Sequence, residues 1–306
     1  MKQQPLVVVV LTQNEEANLP ACLESLRGLD CPVFVVDSGS TDRTVEIAQA
    51  LGATVVHHPF ETHSRQWAWA LSNLPGPPAW VLGLDADQRL SPELRDELVQ
   101  LFADEPRRLR QTDGFYVRRR QIFRGRWIRH GGYYSKYLLK LFRPERVRLD
   151  EHDLVDHHFY VPGRVDRLRG DLIEENRKEE DIAFWILKHA RYATLHAREE
   201  LSRHGGAAVP LVPSLVGNPD QRVLWRKRAW YRLPLYWRSV LYFGYRYLLR
   251  LGFLDGREGF IFHFFQAFWY RLLVDVKLDD LRSGRWVEPP ATGRQVNPSS
   301  ADVQRP

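Results

Sequence analysis

The chain has 306 residues, of which 44% are hydrophobic and 27% are charged, and its formal net charge is +6. This composition is that of a globular protein with a sizeable core. Its two cysteines exclude a disulfide framework, and no uncharged apolar stretch of about 18 residues predicts a membrane-spanning helix. The positive charge favours an anionic partner, which could be a nucleotide, a phospholipid surface or a nucleic acid.

The first 105 residues or so alternate strand and helix patterns. Four apolar runs predict buried strands over residues 6–11, 33–36, 53–56 and 80–84, and helical spacing and capping residues mark the helices between them. Strands that alternate with helices in this way predict a mainly parallel, doubly wound α/β sheet. The first apolar run is too short for a signal peptide, so we expect a cytoplasmic location.

The remainder of the chain has a different texture. Strands are predicted near residues 114–117 and 138–142, and helices from about residue 180. Residues 222–272 combine many aromatic residues with arginines. This segment is either a helical extension packed on the sheet or an in-plane membrane anchor, because Trp and Tyr favour the headgroup zone and Arg binds anionic lipid.

Polar side chains follow the predicted strands, and the carboxyl ends of parallel strands meet at one edge of a sheet, where ligands bind. Asp37 can accept a hydrogen bond from an imide N–H such as that of uracil, and Thr12 and Glu15 could meet the base or the ribose. Asp85 and Asp87 suit a hard divalent cation, which in turn suits a diphosphate. On its own, however, Asp-x-Asp is common in surface turns.

Three segments occur together in this chain: Asn14-Glu15-Glu16-Ala17-Asn18-Leu19, the run from Val35 to Thr44, and Leu84-Asp85-Ala86-Asp87. In combination they resemble family 2 glycosyltransferases with the GT-A fold, over roughly the first 145 residues. Looser similarity further along resembles bacterial members that build lipopolysaccharide cores and exopolysaccharides.

The resemblance implies roles for individual residues. Asp37 would hold the nucleotide base, Asp85 would contact the ribose or a metal-bound water, and Asp87 would ligate Mg²⁺ or Mn²⁺ at the donor diphosphate. Arg65 could pair with a phosphate. The chain departs from the family pattern at two positions where members often carry Asn and Glu, and these are Ala68 and Gln88.

Inverting transfer also needs a base that takes the proton of the acceptor hydroxyl. The acidic segment after the predicted strand near residue 142 supplies the candidates: we favour Glu151, with Asp150 next, and His152 could be an additional metal ligand. The alternative is a solvated acidic turn.

The leading hypothesis is therefore a metal-dependent inverting glycosyltransferase in bacterial cell-envelope polysaccharide synthesis. It would move a hexose from a nucleotide sugar, most simply UDP-linked, to a glycan or lipid-linked acceptor at the inner face of the plasma membrane. Residues 1–215 would form the GT-A domain, with a nucleotide-binding half at 1–110 and an acceptor half at 111–215. A helical membrane-associating region at 216–287 and a disordered tail at 288–306 would follow.

Three other hypotheses remain. One is a catalytically silent sugar-nucleotide binder. A second is a basic nucleic-acid-binding module, suggested by the arginines and aromatics of residues 222–250. It leaves the acids at the strand ends unexplained, so no nucleic-acid partner is expected. The third is a nucleotidyltransferase, which would need a phosphate loop rich in Gly and Lys, and residues 11–19 contain neither.

Overall fold

The computed structural model describes residues 5–155, 158–206 and 208–285. Nine strands form one sheet within this part of the chain. They are β1 Leu6–Thr12, β2 Val33–Asp37, β3 Thr54–His57, β4 Trp80–Asp85, β5 Gln88–Leu90, β6 Gly114–Phe123, β7 Arg126–Ile128, β8 Lys136–Phe142 and β9 Val165–Glu174.

The α-helices alternate with the strands in the first third of the chain and dominate its last third. They are α1 Leu19–Ser25, α2 Thr44–Ala50, α3 His63–Ser72, α4 Pro92–Asp104, α5 Pro106–Arg110, α6 Ile182–His204, α7 Pro219–Trp230, α8 Trp237–Gly244, α9 Gly256–His263 and α10 Tyr270–Ser283. Two 3₁₀ segments, Arg177–Glu180 and Gly252–Asp255, and two π segments, Tyr245–Leu249 and Phe264–Trp269, connect them.

The first four strands confirm the predicted doubly wound arrangement. They lie in the order β3-β2-β1-β4, and every neighbouring pair is parallel. Residues 7–10 of β1 are completely buried, as expected for a central parallel strand that is covered on both faces.

The second half of the sheet is mixed, so the parallel prediction holds only for the first half. The order continues through β8, β6, β9 and β5, with β7 paired to β6. The pairs β4–β8, β8–β6 and β9–β5 are antiparallel, whereas β6–β9 is parallel. Because two antiparallel pairings separate β4 from β6, these two strands run in the same direction.

Among the residues that the structure describes, three hydrophobic clusters hold the fold together. Two of them include opposite faces of β1 and β4. The third joins the β6–β7 hairpin to α6 and to the C-terminal helices, through Phe123, Ile128, Trp185, Phe262 and Val274. The predicted helical extension is therefore confirmed, and its core includes residues on both sides of position 215.

No helix in the described part of the chain is long and apolar enough to cross a membrane. The tail predicted to be disordered, residues 288–306, lies outside the described residues.

A fully buried ion-pair triad lies among these C-terminal helices. Arg238 of α8 donates from Nη1 and Nη2 to the two carboxylate oxygens of Glu200, at 2.7 and 3.0 Å, and from Nε to Asp275 Oδ1 at 2.7 Å. All three side chains are at most 1% exposed. The triad therefore joins α6, α8 and α10 away from solvent.

Candidate active site

The ends of four parallel strands lie at one edge of the sheet, as the sequence predicts. The strand register aligns His57 with Asp37, Asp37 with Thr12, and Leu11 with Asp85. Neighbouring strands lie about 4.8 Å apart, so the polar side chains at these ends share one edge of the sheet.

The Asp37 carboxylate organises the turn after β2. It accepts hydrogen bonds from the backbone N–H groups of Gly39 and Ser40, at 2.9 and 2.8 Å, and from the Thr12 hydroxyl at 3.1 Å. The Ser40 hydroxyl also donates to it. Gly39 has φ +86, a left-handed conformation that side chains rarely adopt. Because the two hydroxyl donors can rotate away, an imide N–H of a base could replace either of them.

Gln66 of α3 links the ends of β2 and β3. Its Nε2 donates to Ser38 Oγ at 3.0 Å and to the backbone carbonyl of His58 at 3.1 Å, and its Oε1 lies 2.7 Å from His58 Nδ1. Ala68, the first departure from the family pattern, is exposed. On α3 it is therefore Gln66 that reaches the strand ends.

Glu15 is held by a segment distant in sequence. Its carboxylate accepts from Lys178 Nζ at 2.6 Å and from Asn18 Nδ2 at 2.7 Å, and Lys178 also donates to the backbone carbonyl of Asn14 at 3.0 Å. The 3₁₀ segment after β9 thus folds against the loop after β1 and forms one wall of the site.

Asp85 forms an ion pair with a buried lysine. Lys140 of β8 is 4% exposed, and its Nζ donates to Asp85 Oδ2 at 3.0 Å. The ammonium fixes one oxygen of the Asp85 carboxylate. A lysine side chain this deeply buried requires such a partner.

Asp87 lies in an acidic neighbourhood. Partial burial, followed by the charges of Glu174 and Asp85, raises the pKa of Asp87 well above its ordinary value. Lys188 of α6 opposes this effect. Burial lowers the pKa of Lys188, but the nearby Glu179, Tyr192 and Asp87 outweigh burial and raise it.

The acidic turn before β9 places its two candidate bases in different environments. Asp150 is buried, forms an ion pair with Arg203 of α6, and accepts from the backbone N–H of His152 at 3.0 Å. Glu151 is exposed. An acceptor hydroxyl can reach the exposed Glu151 but not the buried Asp150, so this placement favours Glu151 over Asp150 as the predicted base.

Arg65 and His152 both have exposed side chains with partners of their own. Arg65 pairs with Glu61, and this bond is the main cause of the raised pKa of Arg65, with a smaller contribution from Glu151. His152 Nδ1 lies 3.2 Å from Ser202 Oγ of α6. The assignments of Arg65 to a phosphate and of His152 to a metal stay predictions.

Comparison with known proteins identifies the family of this chain. The model of Glycosyl transferase family 2 matches residues 7–166, slightly more than half of the chain. The chain belongs to glycosyl transferase family 2. This glycosyltransferase is 28% identical over 269 residues to the lipopolysaccharide core biosynthesis glycosyltransferase LpsC of Rhizobium meliloti. The aligned residues cover 86% of this chain and 90% of LpsC.

Other similar proteins match over shorter stretches or at lower identity. Uncharacterized glycosyltransferases of Rickettsia typhi and Rickettsia conorii are 42% identical over 94 residues, 31% of this chain. The chain spans only about a third, 32% and 33%, of the length of these two relatives. A solved glucosyl-3-phosphoglycerate synthase from Mycobacterium tuberculosis, with Mn²⁺ and UDP, has a TM-score of 0.40 and 18% identity, covering 68% of this chain and 82% of that one.

The residues around Asp87 fit a divalent cation. Asp85 and Asp87 carry carboxylate oxygens, the donors that Mg²⁺ and Mn²⁺ prefer. Burial, followed by the charges of Glu174 and Asp85, raises the pKa of Asp87. Both oxygens of Glu174 are bonded, one to Arg119 and the other to Gln88. Within the described residues, no three His, Cys, Asp or Glu side chains form a complete metal site.

Gln88, the second departure from the family pattern, joins two of these acids. Its Oε1 accepts from the Asp85 backbone N–H at 3.2 Å, and its Nε2 donates to Glu174 Oε2 at 2.9 Å. Glu174 of β9 thus brings a carboxylate to the neighbourhood that a glutamate at position 88 would otherwise supply. The sequence did not predict the contacts that Glu174, Gln66, Lys140 and Lys178 make with the residues at this edge.

The Gln88 contacts predict the effect of restoring the acid. In Gln88→Glu, two carboxylates would face each other where a hydrogen bond now forms, so we expect the free energy of unfolding to fall by about 1–3 kcal/mol at neutral pH. The two acids would share a proton as the pH falls, which should recover part of the loss. Urea denaturation at two pH values measures both effects, with exposed Gln100→Glu on α4 as the control. Equal stability of the two variants would contradict the prediction.

Proposed function

We propose that this glycosyltransferase transfers a hexose from a UDP-linked sugar to a glycan or lipid-linked acceptor, with metal dependence and inversion at the anomeric carbon. The observation that carries the proposal is the shared sheet edge at which Thr12, Asp37, Asp85 and Asp87 follow neighbouring strands. Family membership supports a sugar-nucleotide donor for this edge.

In the proposed donor complex, each strand end has one task. Asp37 exchanges a hydroxyl donor for the N–H of the base, while the backbone N–H groups of Gly39 and Ser40 keep its carboxylate in place. Asp85, held by Lys140, lies two strands from Asp37, at the end of β4, and accepts from the ribose. A divalent cation held at Asp87 would supply positive charge to the diphosphate leaving group.

The transfer step requires a proton acceptor for the incoming hydroxyl. The acceptor oxygen bonds to the anomeric carbon as the bond from that carbon to the diphosphate breaks, and the hydroxyl proton passes to Glu151. The exposed position of Glu151 is consistent with a carboxylate that an acceptor hydroxyl can reach.

We further propose that the acceptor belongs to bacterial cell-envelope polysaccharide synthesis, at the inner face of the plasma membrane. The similarity to LpsC, which is named for lipopolysaccharide core biosynthesis, supports this setting. The arginines and aromatics of the C-terminal helices support peripheral contact with a membrane.

The proposal is tested by measuring UDP release from a panel of UDP-hexoses, with and without Mn²⁺. We expect one donor to turn over only when Mn²⁺ is present. With Mn²⁺, the same donor should also raise the melting temperature of the protein. A donor that binds but never turns over, with any glycan or lipid-linked acceptor tested, would instead indicate a silent sugar-nucleotide binder.

Replacement of the predicted base tests the transfer step. Glu151→Gln should lower kcat at least about 100-fold while leaving the affinity for UDP unchanged, because a positioned base contributes about 10²–10⁴ in rate. The matched control is Glu145→Gln, another exposed glutamate between β8 and β9. Comparable activity of the two variants would show that Glu151 is not the base and would leave Asp150 as the candidate.

A further inference from the structure

The segment 237–260 folds into a helical hairpin that leaves large apolar side chains in solvent. It comprises α8, the π segment Tyr245–Leu249, the 3₁₀ segment Gly252–Asp255 and the first turn of α9. Nine of its apolar or aromatic side chains are between 46% and 76% exposed. We call six of them the 237–260 surface: Trp237, Leu241, Leu248, Leu249, Leu254 and Phe260. The other three are Val240, Tyr245 and Leu251. Single exposed apolar residues are ordinary, but a cluster of this kind marks an interaction site.

The exposure does not result from a poorly packed segment. The Tyr247 ring lies 5.3 Å from Phe243, 6.2 Å from Phe253 and 5.6 Å from Phe260, measured between ring centroids. Within the hairpin these rings contact one another, whereas the leucines lie on the outside. The apolar residues of the surface are therefore held in place before any partner binds.

Positive charge accompanies the apolar residues. The exposed charged residues of the segment are Arg250 and Arg257, since Asp255 is buried and Glu258 is half-buried. Three further exposed arginines precede the segment in the chain: Arg226, Arg228 and Arg232. This charge complements anionic headgroups, whereas a second copy of the chain would bring like charges together.

The surface lies on the donor side of the sheet. Arg119 of β6 donates to Glu174 at 2.9 Å, next to Asp87, and β6 continues for four residues to Phe123, roughly 13 Å further. The loop after β7 then contacts the hairpin, because the Gly131 N–H donates to the Arg250 carbonyl at 2.9 Å and the His130 N–H donates to Asp255 at 2.8 Å.

We propose that the 237–260 surface docks in the plane of a bilayer that contains anionic phospholipid. Trp237 and the exposed leucines enter the headgroup and acyl boundary, and Arg250 and Arg257 bind headgroup phosphates. The inference rests on the proposed function only for the role of docking, which is to hold the donor edge of the sheet beside a lipid-linked acceptor. Docking itself requires no turnover.

The test is co-sedimentation of the full chain with vesicles at low salt, using phosphatidylcholine alone or an equal mixture with phosphatidylglycerol. We expect binding to the mixed vesicles. Leu248→Asp/Leu249→Asp should lower the partition coefficient at least about 100-fold, because two leucines no longer enter the lipid. Arg250→Gln/Arg257→Gln should lower it about thirty-fold for the mixed vesicles.

The matched control is Leu51→Asp/Val99→Asp, at two exposed apolar positions of the nucleotide half, 37% and 43% exposed. It should sediment like the unmodified chain. Retained binding by Leu248→Asp/Leu249→Asp, or equal binding of the unmodified chain to both vesicle types, would overturn the proposal. A dimer in sedimentation velocity that this variant converts to a monomer, without vesicle binding, would assign the surface to self-association and also overturn it.

Docking and catalysis are separable in this design. UDP release with a soluble acceptor and no vesicles should be the same for Leu248→Asp/Leu249→Asp and the unmodified chain. If the unmodified chain docks on the mixed vesicles but turns over no nucleotide sugar, the docking surface stands and the proposed function fails.

Discussion

Asp87→Asn is expected to lower UDP-hexose turnover about a thousand-fold in the presence of Mn²⁺. Charge stabilisation by a bound cation is worth several kcal/mol in a transition state, and each 1.4 kcal/mol or so corresponds to a factor of ten in rate. Asp87 is the predicted ligand for that cation, and its neighbours Glu174 and Asp85 are also acidic. Steady-state UDP release, with Mn²⁺ titrated and then removed by a chelator, measures the effect.

The control for this variant is Asp104→Asn, at an exposed position of α4. It should keep full activity and the full response to Mn²⁺. If Asp87→Asn turns over donor at the rate of this control, the metal-dependent mechanism is wrong, whatever the fate of the docking surface.

The same substitution should have the opposite effect on metal-free stability. A carboxyl group whose pKa is raised by folding binds its proton more tightly in the folded state, so stability falls as the pH rises from the unfolded pKa through the folded one. At neutral pH the metal-free protein therefore carries a cost at Asp87, which Asn removes. The melting temperature of Asp87→Asn should exceed that of the unmodified chain without Mn²⁺, and Mn²⁺ should reduce or reverse the difference.

Arg238→Ala is expected to lower the free energy of unfolding by about 3–5 kcal/mol. Its guanidinium satisfies the carboxylates of Glu200 and Asp275, and neither acid is more than 1% exposed. Removal of the cation leaves two buried negative charges that have lost their guanidinium partner. Urea denaturation followed by far-ultraviolet circular dichroism measures the loss.

Two further variants sharpen the prediction for Arg238. Arg232→Ala, at an exposed arginine nearby in the chain, should change stability by no more than about 0.5 kcal/mol. Arg238→Lys keeps the charge but loses the forked geometry that bonds both oxygens of Glu200, so it should fall between the other two. If Arg238→Ala is as stable as Arg232→Ala, the triad does not stabilise the C-terminal helices.

The first 110 residues could be predicted because their signals are local. Continuous apolar runs identify the four parallel strands, and the residue after each run marks the edge at which Thr12, Asp37 and Asp85 meet. The lysine of β8 also left a signal: Lys140 interrupts an apolar run, and a lysine in such a strand indicates a buried acidic partner.

Residues 111–215 could be predicted only in outline, because their pairings are distant in sequence. In β9, charged residues are interspersed among the apolar ones from Val165 to Glu174, which obscures the strand pattern. No local pattern could pair Glu174 with Gln88 or Lys178 with Glu15, since these partners are 86 and 163 residues apart. Likewise, the composition of the C-terminal segment was compatible with either a packed helical extension or a membrane anchor, and it could not predict which leucines face outward.

The ion pair between Glu15 and Lys178 limits where the chain can be truncated without loss of structure. Asn18 is fastened in the same region, since it donates to Asn176 at 3.1 Å and accepts from the Arg177 N–H at 2.9 Å. A truncated fragment that ends near residue 145 would keep every motif of the family pattern yet lose both of these tethers, together with Glu174. A recombinant fragment of this kind should therefore lack the contacts that hold the loop after β1 in place. Chimeras between relatives should for the same reason have their crossover after residue 180.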